Sequence, residues 1–171
     1  GKKIRTLGGA PILVDPMRKL GALPVSLPLG EVLSAMQNRT IDGMTAGTGV
    51  LTAFKYYDVA KPATYLPSTF LVSPILANRK FMKSLGPELE AILRDEVLKA
   101  EALFASWGVD DVKRSEETWR AKGGQIISLS PEDAKRYLDT VTPVVAAILS
   151  SNPVFKEDYA ALLAAAKKHR K

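Results

Sequence analysis

Residues 24–49 read PVSLPLGEVLSAMQNRTIDGMTAGTG, and the pattern within them decides the fold class. A short apolar strand from Val25 to Leu27 turns through Pro28 and Gly30 into a compact amphipathic helix over about Glu31 to Asn38. A second strand opens at Ile41, and Asp42-Gly43 turns into a loop rich in Gly and Thr. Strand, crossover helix and strand make a βαβ unit, which places its loops at the carboxyl ends of parallel strands, where open α/β sheets bind ligands.

Upstream, Lys3 to Leu7 alternates as a short strand and Gly8-Gly9 ends it with a turn whose backbone can approach a ligand closely. From Pro11 to Leu20, the apolar positions Ile12, Leu13, Met17 and Leu20 fit one helical face, and Gly21 is placed to stop the helix. With a strand around Leu23 to Leu27, the first 45 residues alternate strand and helix. That alternation predicts a parallel or mixed sheet covered by helices.

Downstream, Val50 to Tyr57 predicts a short helix, and Lys61 to Asn78 mixes β-branched and aromatic residues with prolines. Proline donates nothing to a ladder, so this stretch reads as a bent or edge strand whose paired parts are Phe70–Ser73 and Ile75–Ala77. Pro87 suits the first turn of a helix that Leu89, Ile92, Leu93, Val97, Leu103, Phe104 and Trp107 carry toward Gly123-Gly124. At about 35 residues it would span ~50 Å. Gln125 to Leu129 predicts a strand, Ser130-Pro131-Glu132-Asp133 a capped helix start, and Val154 to Lys168 a last Ala-rich helix.

With 171 residues, 46% of them apolar, the chain can form one ordinary domain or two lobes that share elements. The absence of cysteine excludes disulfides and thiolate chemistry, and a single histidine, His169 in a basic tail, excludes a Cys/His zinc site and a His-based catalytic pair. The formal charge of +6 is spread along the chain apart from Lys2-Lys3 and the Lys167 to Lys171 tail, so nucleic acid is not the expected partner. No apolar run approaches the ~20 residues of a membrane span. The abrupt opening GKKIRTLG reads as a processed chain or a piece of a larger one.

Catalytic constellations are scarce. Gly43, Gly47 and Gly49 match neither a phosphate loop nor GxGxxG, and Asp110-Asp111 and Glu116-Glu117 sit among Lys and Arg as a solvated helix face. Arg5 differs, because it follows Ile4 near the end of a strand that leads straight into the Gly-Gly turn. Guanidinium holds a carboxylate through two parallel hydrogen bonds, so Arg5 reads as an organic-acid anchor or, alternatively, as a surface residue beside Lys2 and Lys3.

The GKKIR strand, LGALPVSLPLGEVLSAMQ, the IDG turn, the aromatic-containing helix and the Pro-rich strand, in that order, resemble the solute-binding proteins of TRAP transporters, the DctP-type family. The resemblance implies an α/β periplasmic-binding-protein fold of class II-like two-lobe architecture, incomplete here, with a long bridging helix. It implies a periplasmic receptor that closes on a carboxylate-containing solute and delivers it to TRAP membrane permease subunits; no cofactor and no catalysis are expected, and on metal the sequence is silent. It also implies that Arg5 forms the ion pair with the solute, that Leu29 lines the pocket, and that Ala46 stands where many members carry a polar side chain. Hydrogen bonds from that loop then fall to Thr45, Thr48 or backbone, which favours a smaller or more apolar acid over a sugar acid; Phe70 is the expected hinge-strand contact. The family is roughly twice as long, and this chain matches its second half. On that reading residues 1–61 form most of one lobe, 62–86 cross between lobes, 87–123 are the bridging helix and 124–171 pack on the lobes.

Two alternatives accompany the receptor: a helical interaction module that forms a homodimer through the helix from Pro87, and a small α/β enzyme using Arg5 and Asp42. In place of the family's Gly before IDG stand Asn38-Arg39-Thr40, where Asn38 is expected to supply the left-handed turn.

Overall fold

The computed structural model describes residues 1–67 and 74–169. The chain divides into two compact units, one of Gly1–Ala46, Thr64–Pro67 and Ile127–Lys171, the other of Gly47–Ala63 and Ser68–Ile126.

In the first unit, β1 (Lys3–Thr6) is the middle of a parallel three-stranded sheet with β2 (Leu23–Ser26) on one side and β3 (Gly43–Met44) on the other. The register sets Arg5 opposite Val25 and Met44. β3 is short, but Asp42 N donates to Lys3 O at 2.8 Å and Thr45 N to Arg5 O at 3.1 Å, which extends the ladder at both ends. From β1 the chain crosses by α1 (Pro11–Lys19) to β2, then by α2 (Val32–Gln37) back past β1 to β3. The direction of winding therefore reverses at β1, and open α/β sheets bind ligands at such a switch point, here between the carboxyl ends of β1 and β3.

Helix α1 packs on α6 (Pro131–Ser151), and Val14 and Val141 are buried with Val32 and Ile41. The apolar face predicted for α1 is not the buried one. Ile12, Leu13 and Leu20 remain about two-fifths exposed, whereas Val14 and Pro16 are covered, because a nine-residue helix flanked by a sheet and α6 buries a side set by its neighbours. Ser130 caps α6 as expected, its Oγ accepting from Asp133 N at 3.1 Å. Pro143 lies inside α6 without ending it. The last helix is α7 (Lys156–His169).

The second unit holds α3 (Thr48–Ala53), α4 (Arg79–Ser84) and the 36-residue α5 (Gly86–Ala121), about 54 Å long at 1.5 Å per residue. Gly108 does not interrupt α5. The residues expected to carry its packing, among them Leu89, Ile92, Leu103, Phe104 and Trp107, are each more than half exposed. Its buried positions among the described residues are Ser115 and Trp119, near the end, where α3 packs closely enough that a Cβ on Gly49 would lie 3.0 Å from Asp111 Oδ2.

Strands β4 (Pro62–Tyr65) and β5 (Gln125–Ser128) pair in a two-stranded sheet, and the division between the units falls inside both. Ile75–Ala77, expected to be paired, forms no strand; the strand of the Pro-rich segment lies earlier, at β4. The expected strand Phe70–Ser73 lies outside the described residues.

Candidate functional site

The carboxyl edge of the three-stranded sheet is built by the residues that follow each strand: Leu7 and Gly8 after β1, Leu27, Pro28 and Leu29 after β2, and Thr45 and Ala46 after β3. Arg5 reaches this edge from the middle strand. It is 1% exposed, the largest fully buried side chain described. Its Nε donates to the carbonyl of Leu27 at 2.9 Å. That acceptor follows from register, since Leu27 lies two residues beyond Val25, the partner of Arg5. Nη2 is buried and has no hydrogen-bond partner among the described residues, and none of their carboxylates pairs with the guanidinium. A buried cation without a counter-charge is costly, whereas a carboxylate brought to its terminal nitrogens would complete it.

The neighbouring hydroxyls are already committed. Thr6, 2% exposed, donates through Oγ1 to Gly8 O at 3.1 Å, and Thr45 Oγ1 lies 3.4 Å from Arg5 O, the same carbonyl that accepts the Thr45 N–H. Leu29 is half-buried and opens a one-turn 3-10 helix, and Ala46 is exposed. Thus the sheet brings Arg5, Leu29, Thr45 and Ala46 to one edge. Thr48 belongs to the second unit, in the first turn of α3, where its carbonyl accepts from Thr52 Oγ1 at 3.2 Å. Phe70 lies outside the described residues.

Asp42 is at the other end of the sheet. Its Oδ2 accepts from Lys3 N at 2.8 Å, at the start of β1, and Oδ1 lies 3.6 Å from Lys2 Nζ. The Lys3 N–H, helped by the Lys2 ammonium, holds its carboxyl below the usual aspartate value. The carboxylate fastens β3 to β1 on the amino side while Arg5 serves the carboxyl side, so the two do not converge on one substrate. Among the described residues, no group of three or more His, Asp or Glu could hold a metal ion. None of their helices is long and apolar enough to cross a membrane.

The two commitments that close the edge, Leu27 O to Arg5 and Gly8 O to Thr6, escape sequence reading because both acceptors are backbone atoms. The register offers a signal for the first only once β1 and β2 are known to pair.

The sequence profile of the family described as "Bacterial extracellular solute-binding protein, family 7" matches residues 1–152. The chain belongs to this family. It is a family of binding proteins, not enzymes. The ectoine/5-hydroxyectoine-binding periplasmic protein UehA of Ruegeria pomeroyi is 31% identical over 53% of this chain and 26% of its own. The C4-dicarboxylate-binding periplasmic protein DctP of Shewanella loihica is 25% identical over 84% of this chain and 43% of its own. Among solved structures, a TRAP periplasmic solute-binding protein of Anaerococcus prevotii with bound D-glucuronate superposes with a TM-score of 0.83 at 26% identity, over all of this chain and 54% of that one. The ectoine-binding protein of Halomonas elongata gives 0.83 at 22%, over 92% and 52%. The chain spans about half the length of these solved relatives, and 26% and 43% of the two curated ones. Its fold is accordingly α/β of the periplasmic-binding-protein type, and part of that two-lobe architecture.

Proposed function

We propose that this chain supplies the carboxylate-holding part of an extracytoplasmic solute receptor that serves a TRAP-type transporter. Arg5 anchors a small organic acid through its terminal nitrogens, Leu29, Thr45 and Ala46 line its surroundings, and the loaded receptor delivers the acid to membrane permease subunits. Thr48 and Phe70 remain candidates for contacts made from the second unit.

One observation carries this reading: a guanidinium buried at the carboxyl edge of a parallel sheet, at the reversal of winding, with Nη2 unpartnered and no carboxylate beside it among the described residues. The family supports it, since relatives are named for binding a C4-dicarboxylate and for bound glucuronate or orotic acid, all carboxylates. Calorimetric titration of the chain with a panel of organic acids, repeated on Arg5→Met, tests the reading. Truncating one partner of a buried charge pair costs about 2–5 kcal/mol, so affinity should fall roughly thirtyfold or more. Saturable acid binding of unchanged affinity in Arg5→Met would remove Arg5 from the site.

A further inference from the structure

We infer that the solute held at Arg5 is a monocarboxylate with an apolar body, and that polyhydroxylated acids and dicarboxylates are discriminated against. This rests on the receptor reading and adds the class of solute that this edge of the sheet accepts.

The first argument is a count of donors. A hydroxylated solute needs side chains that can exchange hydrogen bonds with it, and each hydroxyl left buried without a partner weakens binding. On this edge the residues beyond the strands are Leu7, Gly8, Leu27, Pro28, Leu29, Thr45 and Ala46, and of these Thr45 alone has a polar side chain. The two threonines present have turned their hydroxyls onto backbone, Thr6 to Gly8 O and Thr45 toward Arg5 O. Leu27 O is occupied by Arg5 Nε. The described polar atom left unpartnered in burial is Arg5 Nη2, a donor suited to a carboxylate oxygen.

The second argument is the placement of charge. In a βαβ unit the crossover helix returns against the strand direction, so the C-terminal end of each helix lies toward the amino edge of the sheet. Arg18 and Lys19 close α1, and Arg39 follows α2, so these cations belong to the edge away from the Arg5 guanidinium. Lys2 is there too, 3.6 Å from Asp42. Among the described residues of this sheet, one cation therefore serves the carboxyl edge, enough for one carboxylate, and a second negative charge on the solute would meet no second cation there. Apolar carbon in that place instead covers side chains such as Leu7, now 67% exposed.

Three acids built on a six-membered ring separate these demands: cyclohexanecarboxylate, D-glucuronate and trans-cyclohexane-1,4-dicarboxylate. Titrated into the whole chain at pH 7 and matched ionic strength, cyclohexanecarboxylate should bind at least about tenfold more tightly than either of the others, because an unpartnered buried hydroxyl or charge costs that much or more. Glucuronate or the dicarboxylate binding as tightly, or more tightly, would overturn the inference while leaving a carboxylate receptor in place. Saturable binding by none of the three would overturn both. A preference for cyclohexanecarboxylate that survives unchanged in Arg5→Met would also overturn both, since the discriminating edge would then not be this one.

Discussion

Each unit of this protein is centred on a buried side chain whose ring or guanidinium N–H donates to a backbone carbonyl far along the chain. In the first unit Arg5 Nε donates to Leu27 O at 2.9 Å; in the second Trp119 Nε1 donates to Lys61 O at 3.0 Å. Both side chains are almost fully buried, at 1% and 2% exposure. The difference lies in what remains after that bond. An indole has one N–H, so Trp119 is complete; a guanidinium has more, and Arg5 keeps a buried Nη2 with no acceptor among the described residues. A satisfied buried donor holds a structure together, and an unsatisfied one asks for a ligand. In the proposed receptor, the two residues separate what stabilises this chain from what it presents to a solute.

The largest expected effect is at Trp119. Tyr57 meets it edge-on with ring centroids 6.0 Å apart, and Gly124 lies so near that a Cβ there would sit 2.3 Å from the indole. Lys61 O also accepts from Gln125 N at 2.8 Å, so the indole fastens the starts of β4 and β5 to the end of α5. Trp119→Ala should lower stability by about 3–5 kcal/mol, read from the urea midpoint. Gly124→Ala, which forces the ring aside, should cost about 1–3 kcal/mol. A loss below about 1 kcal/mol for Trp119→Ala would end the description of this cluster as a structural anchor.

Arg5 should behave in the opposite way. Arg5→Met removes the bond to Leu27 O, worth about 1.5–3 kcal/mol for a charged donor, but it also removes an uncompensated buried cation whose burden is of the same order. The ligand-free chain should therefore stay within about 1 kcal/mol of the wild type by urea denaturation, although acid binding is lost. If Arg5→Met unfolded the chain as readily as Trp119→Ala does, the contrast between the two donors would collapse, and Arg5 would be a structural residue first.

The sequence made the alternation of strand and helix legible because each element is punctuated locally: Gly21 after α1, Pro28 and Gly30 before α2, Ser130-Pro131 before α6. The reading of Arg5 as an anchor rests on local signals, since its type, its strand and the following glycines all lie within five residues. What stayed hidden depended on distant pairing. The carbonyl that orients Arg5 is 22 residues away, and the one that fixes Trp119 is 58 away. Periodicity along α5 named Leu89, Ile92, Phe104 and Trp107 as packing residues, yet they are exposed, because an apolar stripe does not say whether anything lies against it. Of the pocket residues named with Arg5, topology gathers Leu29, Thr45 and Ala46 at its edge of the sheet.

A smaller effect concerns how the helices end. Three of them close with the same pair of bonds: Gly21 N to Arg18 O and Ala22 N to Met17 O after α1, Arg39 N to Met36 O and Thr40 N to Ala35 O after α2, Gly123 N to Arg120 O and Gly124 N to Trp119 O after α5. This arrangement needs a left-handed residue at its corner. Glycine takes it at Gly21 and Gly123, with φ of 81° and 79°, but after α2 the corner is Arg39, at φ 57°. Asn38, expected to take that conformation, has φ of −82° and ordinary backbone. Its neighbour carries the strain because the corner falls two residues past the last residue of the helix, wherever the more tolerant residue type happens to stand. Arg39→Gly should stabilise the chain by roughly 0.5–1 kcal/mol, and Asn38→Gly should destabilise it slightly, both by thermal denaturation. Stabilisation by Asn38→Gly instead would place the strained corner one residue earlier.

The smallest effect is the one that acidity reveals at the amino edge of the sheet, opposite Arg5. Asp42 accepts the Lys3 N–H and lies beside the Lys2 ammonium, and both favour its charged form, so its carboxyl titrates lower in the folded chain than in the unfolded one, where about 3.9 is ordinary. A lowered folded-state value means that the unfolded chain binds the proton more readily. The stabilisation is therefore present above the unfolded value and lost as pH falls through the folded one. Asp42→Asn keeps a carbonyl oxygen for Lys3 but has no charge to titrate. Its melting temperature should lie slightly below the wild type at pH 7, and the two should converge as pH drops below about 3.9. A gap that persisted undiminished in strong acid would assign the contribution of Asp42 to shape alone. A wild type less stable than Asp42→Asn at pH 7 would mean that the order of titration is reversed and that the carboxylate does not fasten β1 to β3.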